Sequence, residues 1–406
     1  MKTMSFNRPK QAVILAGGRG IRLKPVTDTI AKPMIMFHGK PFLEYLICQL
    51  KDWDIKNILL LLGYLPETVT GYFGNGQSWG VNIQYSITAV DDDTGQRLRY
   101  AKDQIDDLFL FLYCDNYCPL DYNKLWESFC SKKISAQITA YLNTDKYTRD
   151  NLRIGSDSII EKYDKSRTDP ELSGVDIGYA IIKKEVLDMI PAANVNFEKA
   201  VYPELVKNRA LGAFSTHHRY YSIGNPERLP VTAEFLEGKP LIILDRDGVL
   251  NQKPPRAQYI TKWDEFRWLP GAKQAIKLLN DAKYRVVVVS NQAGIARGLM
   301  NETDLNVIHG KMLDELADEG GAIAKIYVCP HGWDDCCECR KPKPGMLFAV
   351  QKDFNIDLTK TVFIGDDERD VQAGNAAGCK TILVSGEHNL LNIVTDEVLK
   401  KGSVNF

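Results

Sequence analysis

Apolar runs of about five residues recur along this chain, each separated from the next by a longer amphipathic stretch. That alternation restricts it to sheets whose strands are buried on both faces. One series covers 12–16, 57–62, 82–87, 108–113 and 136–142, with a helix near 42–53. A second begins at Pro240, with strands at 241–244, 286–289, 326–329, 361–364 and 381–384 and a helix over 272–282. Between them, 226–239 reads as a helix closed by Gly238-Lys239-Pro240, which places a domain boundary there. The expectation is an α/β chain of two doubly wound domains, 1–236 and 237–406, without internal repeats. At 406 residues the chain exceeds what one ordinary core organises.

Charge and cysteine usage exclude several classes. Lys and Arg number 51 against 52 Asp and Glu, so no basic excess exists to drive counterion release from nucleic acid. Small anionic ligands need only local positive charge and stay open. The apolar runs are far too short to span a bilayer, and 12–16 runs into glycines instead of forming a secretory core. Of nine cysteines, four crowd between Cys329 and Cys339, which suits a reducing cytoplasm better than a disulfide framework. The composition leaves oligomeric state open.

Three strands of the second series end in polar clusters: Asp245-Arg246-Asp247-Gly248, Ser290-Asn291-Gln292 and Gly365-Asp366-Asp367. Ligands of open parallel sheets bind beyond such strand ends. Asp245 and Asp247 face one ligand only if the backbone leaves extended geometry between them, a turn that Gly248 allows. An aspartate beside a divalent cation can attack phosphorus, which assigns Asp245 as nucleophile. Asp247 then serves as acid and base, duty for which a raised pKa is expected. Asp366 offers a hard oxygen to magnesium, while Ser290 and Lys341 hold phosphoryl oxygens. Cys329-x-His331 and Cys337-x-Cys339 supply four ligands for a closed, structural zinc that fixes the loop bearing Arg340 and Lys341. Cys336 is an alternative to Cys337, and incidental reduced thiols are the bland alternative to zinc.

This ordered set resembles the haloacid dehalogenase-like phosphatases across 240–384. The run 245–251, the run 291–298 and the Cys/His pairs resemble, within them, the D-glycero-D-manno-heptose-1,7-bisphosphate 7-phosphatases, with the histidinol phosphatases as the alternative. The resemblance implies a Rossmann-like parallel sheet with a zinc loop. It also implies magnesium held by Asp245, the Asp247 backbone carbonyl and Asp366, and substrate contacts from Asn291, Arg297 and Arg340.

In the first half, Leu15-Ala16-Gly17-Gly18-Arg19-Gly20-Ile21-Arg22-Leu23 follows the first strand, and Lys32-Pro33-Met34 follows soon after. Glycines let backbone N–H groups approach a triphosphate, while Arg22 and Lys32 offset the charge of departing pyrophosphate. A glycine loop alone is as readily a tight turn. Together with Asp115, at the end of the 108–114 run, the pattern resembles the sugar-1-phosphate nucleotidyltransferases over 11–229. That resemblance implies a mixed sheet and nucleotide contacts from Leu15, Ala16, Gly17, Gly18, Gly20, Arg22, Lys32 and Asp115. It further implies magnesium on Asp115, sugar-phosphate contacts from Glu161 and Lys162, and a sugar-facing segment at 174–179. Two positions depart from the pattern. Ile21 replaces the usual Thr, and Ser222 stands where the family commonly carries a second magnesium-binding Asp.

Together the resemblances imply a bifunctional enzyme of activated-heptose synthesis. It would act on sugar phosphates and a nucleoside triphosphate, guanylyl transfer being favoured by analogy. The run 94–98 faintly resembles cytidylyltransferases, and a non-catalytic sugar-nucleotide-binding first domain is the other alternative. Cys114 and Cys118 read as packing residues, and His217-His218 as surface or core. The aromatic run 263–268 reads as either core or a substrate lid.

Overall fold

The computed structural model describes residues 7–255 and 257–400 and separates into two units, one ending at Glu237 and the next beginning at Gly238. Among the described residues no helix is long and apolar enough to cross a membrane.

The first unit is built on seven strands: β1 (Gln11–Leu15), β2 (Asn57–Leu62), β3 (Asn82–Ile87), β4 (Leu108–Tyr113), β5 (Ala136–Tyr141), β6 (Val175–Lys183) and β7 (Leu211–Thr216), in the order β7-β5-β6-β4-β1-β2-β3. All neighbours run parallel except β6, which is antiparallel to both β4 and β5. β1 is buried along its whole length. Ala12 and Ile14 join one core while Val13 and Leu15 join the other, the period of two expected of a strand covered on both faces. The strand at β6 includes the segment read from sequence only as sugar-facing. Its register shifts between Asp176 and Ala180, and Gly178 takes φ +77° where an added Cβ would lie 2.8 Å from the Tyr113 ring. The bulge therefore bows toward the end of β4.

The second unit carries five parallel strands: β8 (Leu241–Leu244), β9 (Arg285–Asn291), β10 (Lys325–Cys329), β11 (Val362–Gly365) and β12 (Lys380–Leu383), ordered β10-β9-β8-β11-β12. Ile242 and Leu244 face one core, Leu241 and Ile243 the other. Because the chain adds strands first on one side of β8 and then on the other, the strand order reverses beside β8, where a crevice opens at the carboxyl ends.

Of the two readings of the aromatic run, packing wins. Trp263 stacks on Phe266 at 4.9 Å, Phe266 meets Trp268 edge-on at 5.3 Å, and the Trp268 indole N–H donates to Glu315 at 2.9 Å. These rings pack against the β8 core and do not line the cavity at the carboxyl ends of the strands. His218 is buried, and burial pulls it down to about 3, so it is a neutral core residue. Cys114 and Cys118 are buried in the first unit's core.

Candidate functional site

In the second unit β8 stops at Leu244, and Asp245 is held by its N–H donating to Ile364 O at 2.9 Å. The chain then turns through Gly248 at φ +94°, where an added Cβ would sit 2.0 Å from Asp366 Oδ2. Glycine is thus what lets the first acidic cluster approach the third. Gly248→Ala is expected to cost about 1–3 kcal/mol of stability from backbone strain alone. By displacing Asp366 it should also weaken the affinity of the acidic cluster for a divalent cation; melting temperature and a magnesium-binding titration measure the two effects.

Lys341, 3% exposed, joins the second cluster to the first. Its Nζ lies 2.9 Å from Asp245 Oδ1 and 2.6 Å from Asp370 Oδ1, and donates to Val289 O at 3.2 Å. Carboxylate oxygens of Asp245, Asp366 and Asp370 lie within 4.8 Å of one another. Burial and the neighbouring Asp370 push the Asp245 carboxyl up to about 7 against the pull of Lys341. Two ammonium groups face these three carboxylates, Lys341 and Lys253, whose Nζ lies 2.8 Å from Asp366 Oδ2, and the hard carboxylate oxygens suit magnesium.

Asp370 is a residue that the sequence reading missed. It occupies the first turn of a helix, Glu368–Ala376, and its Oδ2 accepts from the N–H groups of Asp366 and Asp367, each at 3.1 Å. The signal was present in the spacing Asp366-Asp367-x-x-Asp370, an acidic residue returning to cap the strand-to-helix turn.

Asp247 corrects an expectation. Burial works to raise it, but Arg246, Asn251 and Gln292 all donate to its carboxylate and hold it below the usual range. A raised pKa was expected from its catalytic duty; the dense set of donors decides otherwise.

The remaining predicted residues divide. Ser290 Oγ accepts from Gln292 Nε2 at 2.8 Å. Asn291 clamps the backbone of Lys341, donating to its carbonyl at 3.0 Å and accepting from its N–H at 3.1 Å, so its amide serves to place Lys341. Arg340 lines a cavity of about 510 Å³ together with Lys253, Tyr259, Trp333 and Arg369. Arg297 is exposed, with its guanidinium 5.5 Å from the Tyr259 ring centre and outside that lining. The wall at 253–255 and 257–259 lies in irregular backbone after the Asp245 turn, where no periodic pattern marks it.

Cys329 ends β10, and its Sγ lies 3.7 Å from Cys337 Sγ and 3.6 Å from His331 Nδ1. Cys339 Sγ is 3.2 Å from His331 Nδ1 and 3.5 Å from Cys337 Sγ. A tetrahedron with metal–sulfur bonds near 2.3 Å has edges of roughly 3.8 Å, so this set fits a zinc-sized ion. Cys336 is exposed and stands outside the cluster.

In the first unit, Lys32 Nζ reaches Asp115 Oδ2 at 2.5 Å, bringing the Lys-Pro-Met segment to the end of β4. An added Cβ on Gly224 would meet Ser222 Oγ at 3.1 Å, Arg22 Nη2 at 3.9 Å and Asp115 Oδ2 at 4.0 Å, so these groups converge. Ser222 Oγ is committed to backbone, donating to Asp115 O at 3.1 Å and accepting from Gly224 N–H at 3.0 Å. Gly20 takes φ +63°, and its carbonyl accepts from Thr27 Oγ1 at 3.0 Å, curling the glycine loop.

Arg97, 4% exposed, was not singled out from sequence. It donates to Leu62 O at 2.7 Å and Ala89 O at 3.0 Å, and an added Cβ on Gly17 would lie 2.5 Å from its guanidinium carbon. Gly17 is therefore fixed by packing as well as by any ligand. Glu161 and Lys162 sit exposed on a separate two-stranded ribbon, paired with Arg153 at 3.3 Å and Asp169 at 2.7 Å.

Comparison with known proteins gives a family match in each half of the chain. A family model described as nucleotidyl transferase matches residues 11–151, and one described as HAD-hydrolase-like matches 338–397. A D-glycero-beta-D-manno-heptose-1,7-bisphosphate 7-phosphatase of Bordetella bronchiseptica is 47% identical over 144 residues, 36% of this chain and 79% of that protein. A D-glycero-alpha-D-manno-heptose-1,7-bisphosphate 7-phosphatase of Campylobacter jejuni is 38% identical over 146 residues, 36% of this chain and 82% of that protein. Among solved structures, HddC from Yersinia pseudotuberculosis is 27% identical with a TM-score of 0.48, covering 56% of this chain and 99% of its own. With a nucleotidyl transferase domain in front, the chain belongs to the family of D-glycero-D-manno-heptose-1,7-bisphosphate 7-phosphatases.

Proposed function

We propose that this chain performs two steps in making a nucleotide-activated heptose. It hydrolyses the 7-phosphate of D-glycero-D-manno-heptose 1,7-bisphosphate, then transfers a nucleotidyl group, guanylyl in our reading, to the remaining anomeric phosphate. The observation that carries the first step is the buried Asp245–Lys341–Asp370 bridge with Asp366 beside it, at the mouth of the cavity. A carboxylate of Asp245 attacks phosphorus and the bond to the sugar oxygen breaks; Asp247, ionised before substrate binds, takes the proton of the monoanionic phosphate ester and delivers it to that oxygen. Water then attacks the aspartyl phosphate, giving its proton to Asp247 and releasing inorganic phosphate. Lys341 and Ser290 hold phosphoryl oxygens throughout. Magnesium on Asp245, Asp366 and the Asp247 carbonyl would neutralise the charge of carboxylates and phosphate. Arg340 and Arg369 supply positive charge on the cavity wall for the second phosphate of the substrate.

Phosphorus NMR of the chain with the bisphosphate, magnesium and each nucleoside triphosphate tests the scheme. Loss of the 7-phosphate resonance first supports it, whereas release of the anomeric phosphate removes it, because nucleotidyl transfer requires that group. A preference for an amino-alcohol phosphate would move the second domain to the histidinol reading.

The Cys329, His331, Cys337 and Cys339 set holds a structural zinc in this proposal, keeping Arg340 and Lys341 in place. Cys337→Ser is expected to lose bound zinc, measured by elemental analysis, and to lower kcat/KM for the sugar phosphate by about 10–100-fold.

In the first domain, an oxygen of the sugar 1-phosphate attacks the α-phosphorus of the nucleotide, and no protein nucleophile is needed. The glycine loop, Arg22 and Lys32 hold the triphosphate, Glu161 and Lys162 the sugar phosphate, and Asp115 magnesium. The neutral Ser222 beside Asp115 favours a second reading, a domain that binds sugar nucleotide without turning it over. Pyrophosphate release under saturating magnesium separates the two. If transfer is slow for want of a ligand, Ser222→Asp is expected to raise it by about tenfold.

A further inference from the structure

Behind the Asp247 carboxyl lies a charged side chain that the hydrolysis as derived does not use. Arg246 is 0% exposed. A guanidinium is costly to bury, so each of its donors needs a partner. Its Nε lies 3.2 Å from Asp247 Oδ1, and Nη2 lies 2.9 Å from both carboxylate oxygens. The third nitrogen, Nη1, points elsewhere and meets His309 Nε2 at 3.1 Å. Guanidinium nitrogens only donate, so this imidazole nitrogen must accept; the ring is neutral and carries its proton on Nδ1. His309 is itself buried, on the helix Glu302–Asp318 between Ile308 and Met312 turns that face the core. Asn251 adds a donor to Oδ1 at 2.9 Å and Gln292 one to Oδ2 at 2.8 Å. Each of these hydrogen-bond partners of the carboxyl is a donor.

We propose that His309 is a positioning residue for the acid/base step: by accepting from Arg246 Nη1 it fixes the guanidinium fork, and the fork sets the aim of the Asp247 carboxyl. The inference rests on the phosphatase reading. The Asp247 proton passes to the bridging oxygen as the phosphorus–oxygen bond breaks. The carboxylate left behind is the species the donor cradle stabilises, ready to take a proton from water in the second step. His309 exchanges no proton itself. Its contribution is orientation, transmitted through one side chain.

This role has a signature that a general loss of structure lacks. A sugar alkoxide leaves poorly without a proton, whereas 4-nitrophenolate leaves readily without one. In the full-length chain with magnesium, kcat/KM reports the first phosphoryl transfer for both kinds of ester. His309→Leu is expected to lower kcat/KM for heptose 1,7-bisphosphate by about 30-fold or more while changing 4-nitrophenyl phosphate by less than about threefold. His309→Gln, whose Oε1 restores an acceptor, should recover most of the loss. Should His309→Leu fail to fold, His309→Met makes the same comparison. Equal losses on the two esters, or none, overturn the proposal. Asp247→Asn tells its failure from that of the parent reading. If Asp247→Asn is selective for the sugar ester and His309→Leu is not, only the role of His309 falls. If Asp247→Asn also loses both esters equally, the acid assignment falls and this inference goes with it.

Discussion

Asp245→Asn is expected to abolish phosphomonoester hydrolysis, by on the order of 10⁴-fold or more, while nucleotidyl transfer by the same chain continues. The amide cannot attack phosphorus, and it removes one of the carboxylates that suit magnesium. The scaffold should survive the change. Lys341 keeps its contact with Asp370 at 2.6 Å and with Val289 O, so the buried ammonium is not left bare. Removing a carboxyl that burial already pushes up to about 7 also removes a partly charged group from a buried position. The variant is expected to melt no lower than the parent. Phosphate release from the bisphosphate and pyrophosphate release with heptose 1-phosphate supplied directly, followed in parallel assays, read the two activities side by side. Full hydrolytic turnover by a folded, magnesium-loaded Asp245→Asn protein would end the aspartyl-phosphate mechanism.

The second large effect is expected at Asp115. Asp115→Asn should reduce nucleotidyl transfer by about 10²–10³-fold and leave hydrolysis of the bisphosphate unchanged. Ser222, the neighbour from which a second carboxylate would come, has its hydroxyl engaged by backbone at 3.1 and 3.0 Å. In the proposed transfer reaction Asp115 would thus carry the metal-binding burden largely alone. The substitution also frees Lys32, now 2.5 Å from Asp115, to bind phosphate more tightly. Nucleotide affinity should therefore fall less than turnover. Isothermal titration with the triphosphate, set beside initial rates of pyrophosphate release, measures that split. If both fall together, Asp115 serves binding and not the transfer step. If neither falls, the convergence of Lys32, Arg22 and Asp115 has no part in the reaction.

Much of the fold was legible because most strands are short apolar runs separated by amphipathic stretches. Such runs have few alternatives once they alternate with amphipathic helices. The strand β6 escaped because its start is bulged and interrupted by Gly178, so its first residues do not read as a continuous run. The acidic motifs and the Cys/His pairs were visible because metal and phosphoryl chemistry needs particular side chains at close sequence spacing. Lys253, Tyr259 and Trp333 were not visible, since they lie in loops with no periodic signal. The roles of Arg246 and His309, 63 residues apart, arise only when the helix Glu302–Asp318 packs against the sheet beside them.

The amino-acid order alone determined most strands of the two sheets, their boundary region and which residue types stand at the strand ends, since burial periodicity and ligand chemistry are local properties. Tertiary structure alone decided which charges face one another. It set Lys341 between Asp245 and Asp370, turned Asn291 to the backbone of Lys341, and held Asp247 ionised among donors. The physical reason is that electrostatic interactions in a buried site depend on distances of a few ångströms between residues far apart in the chain.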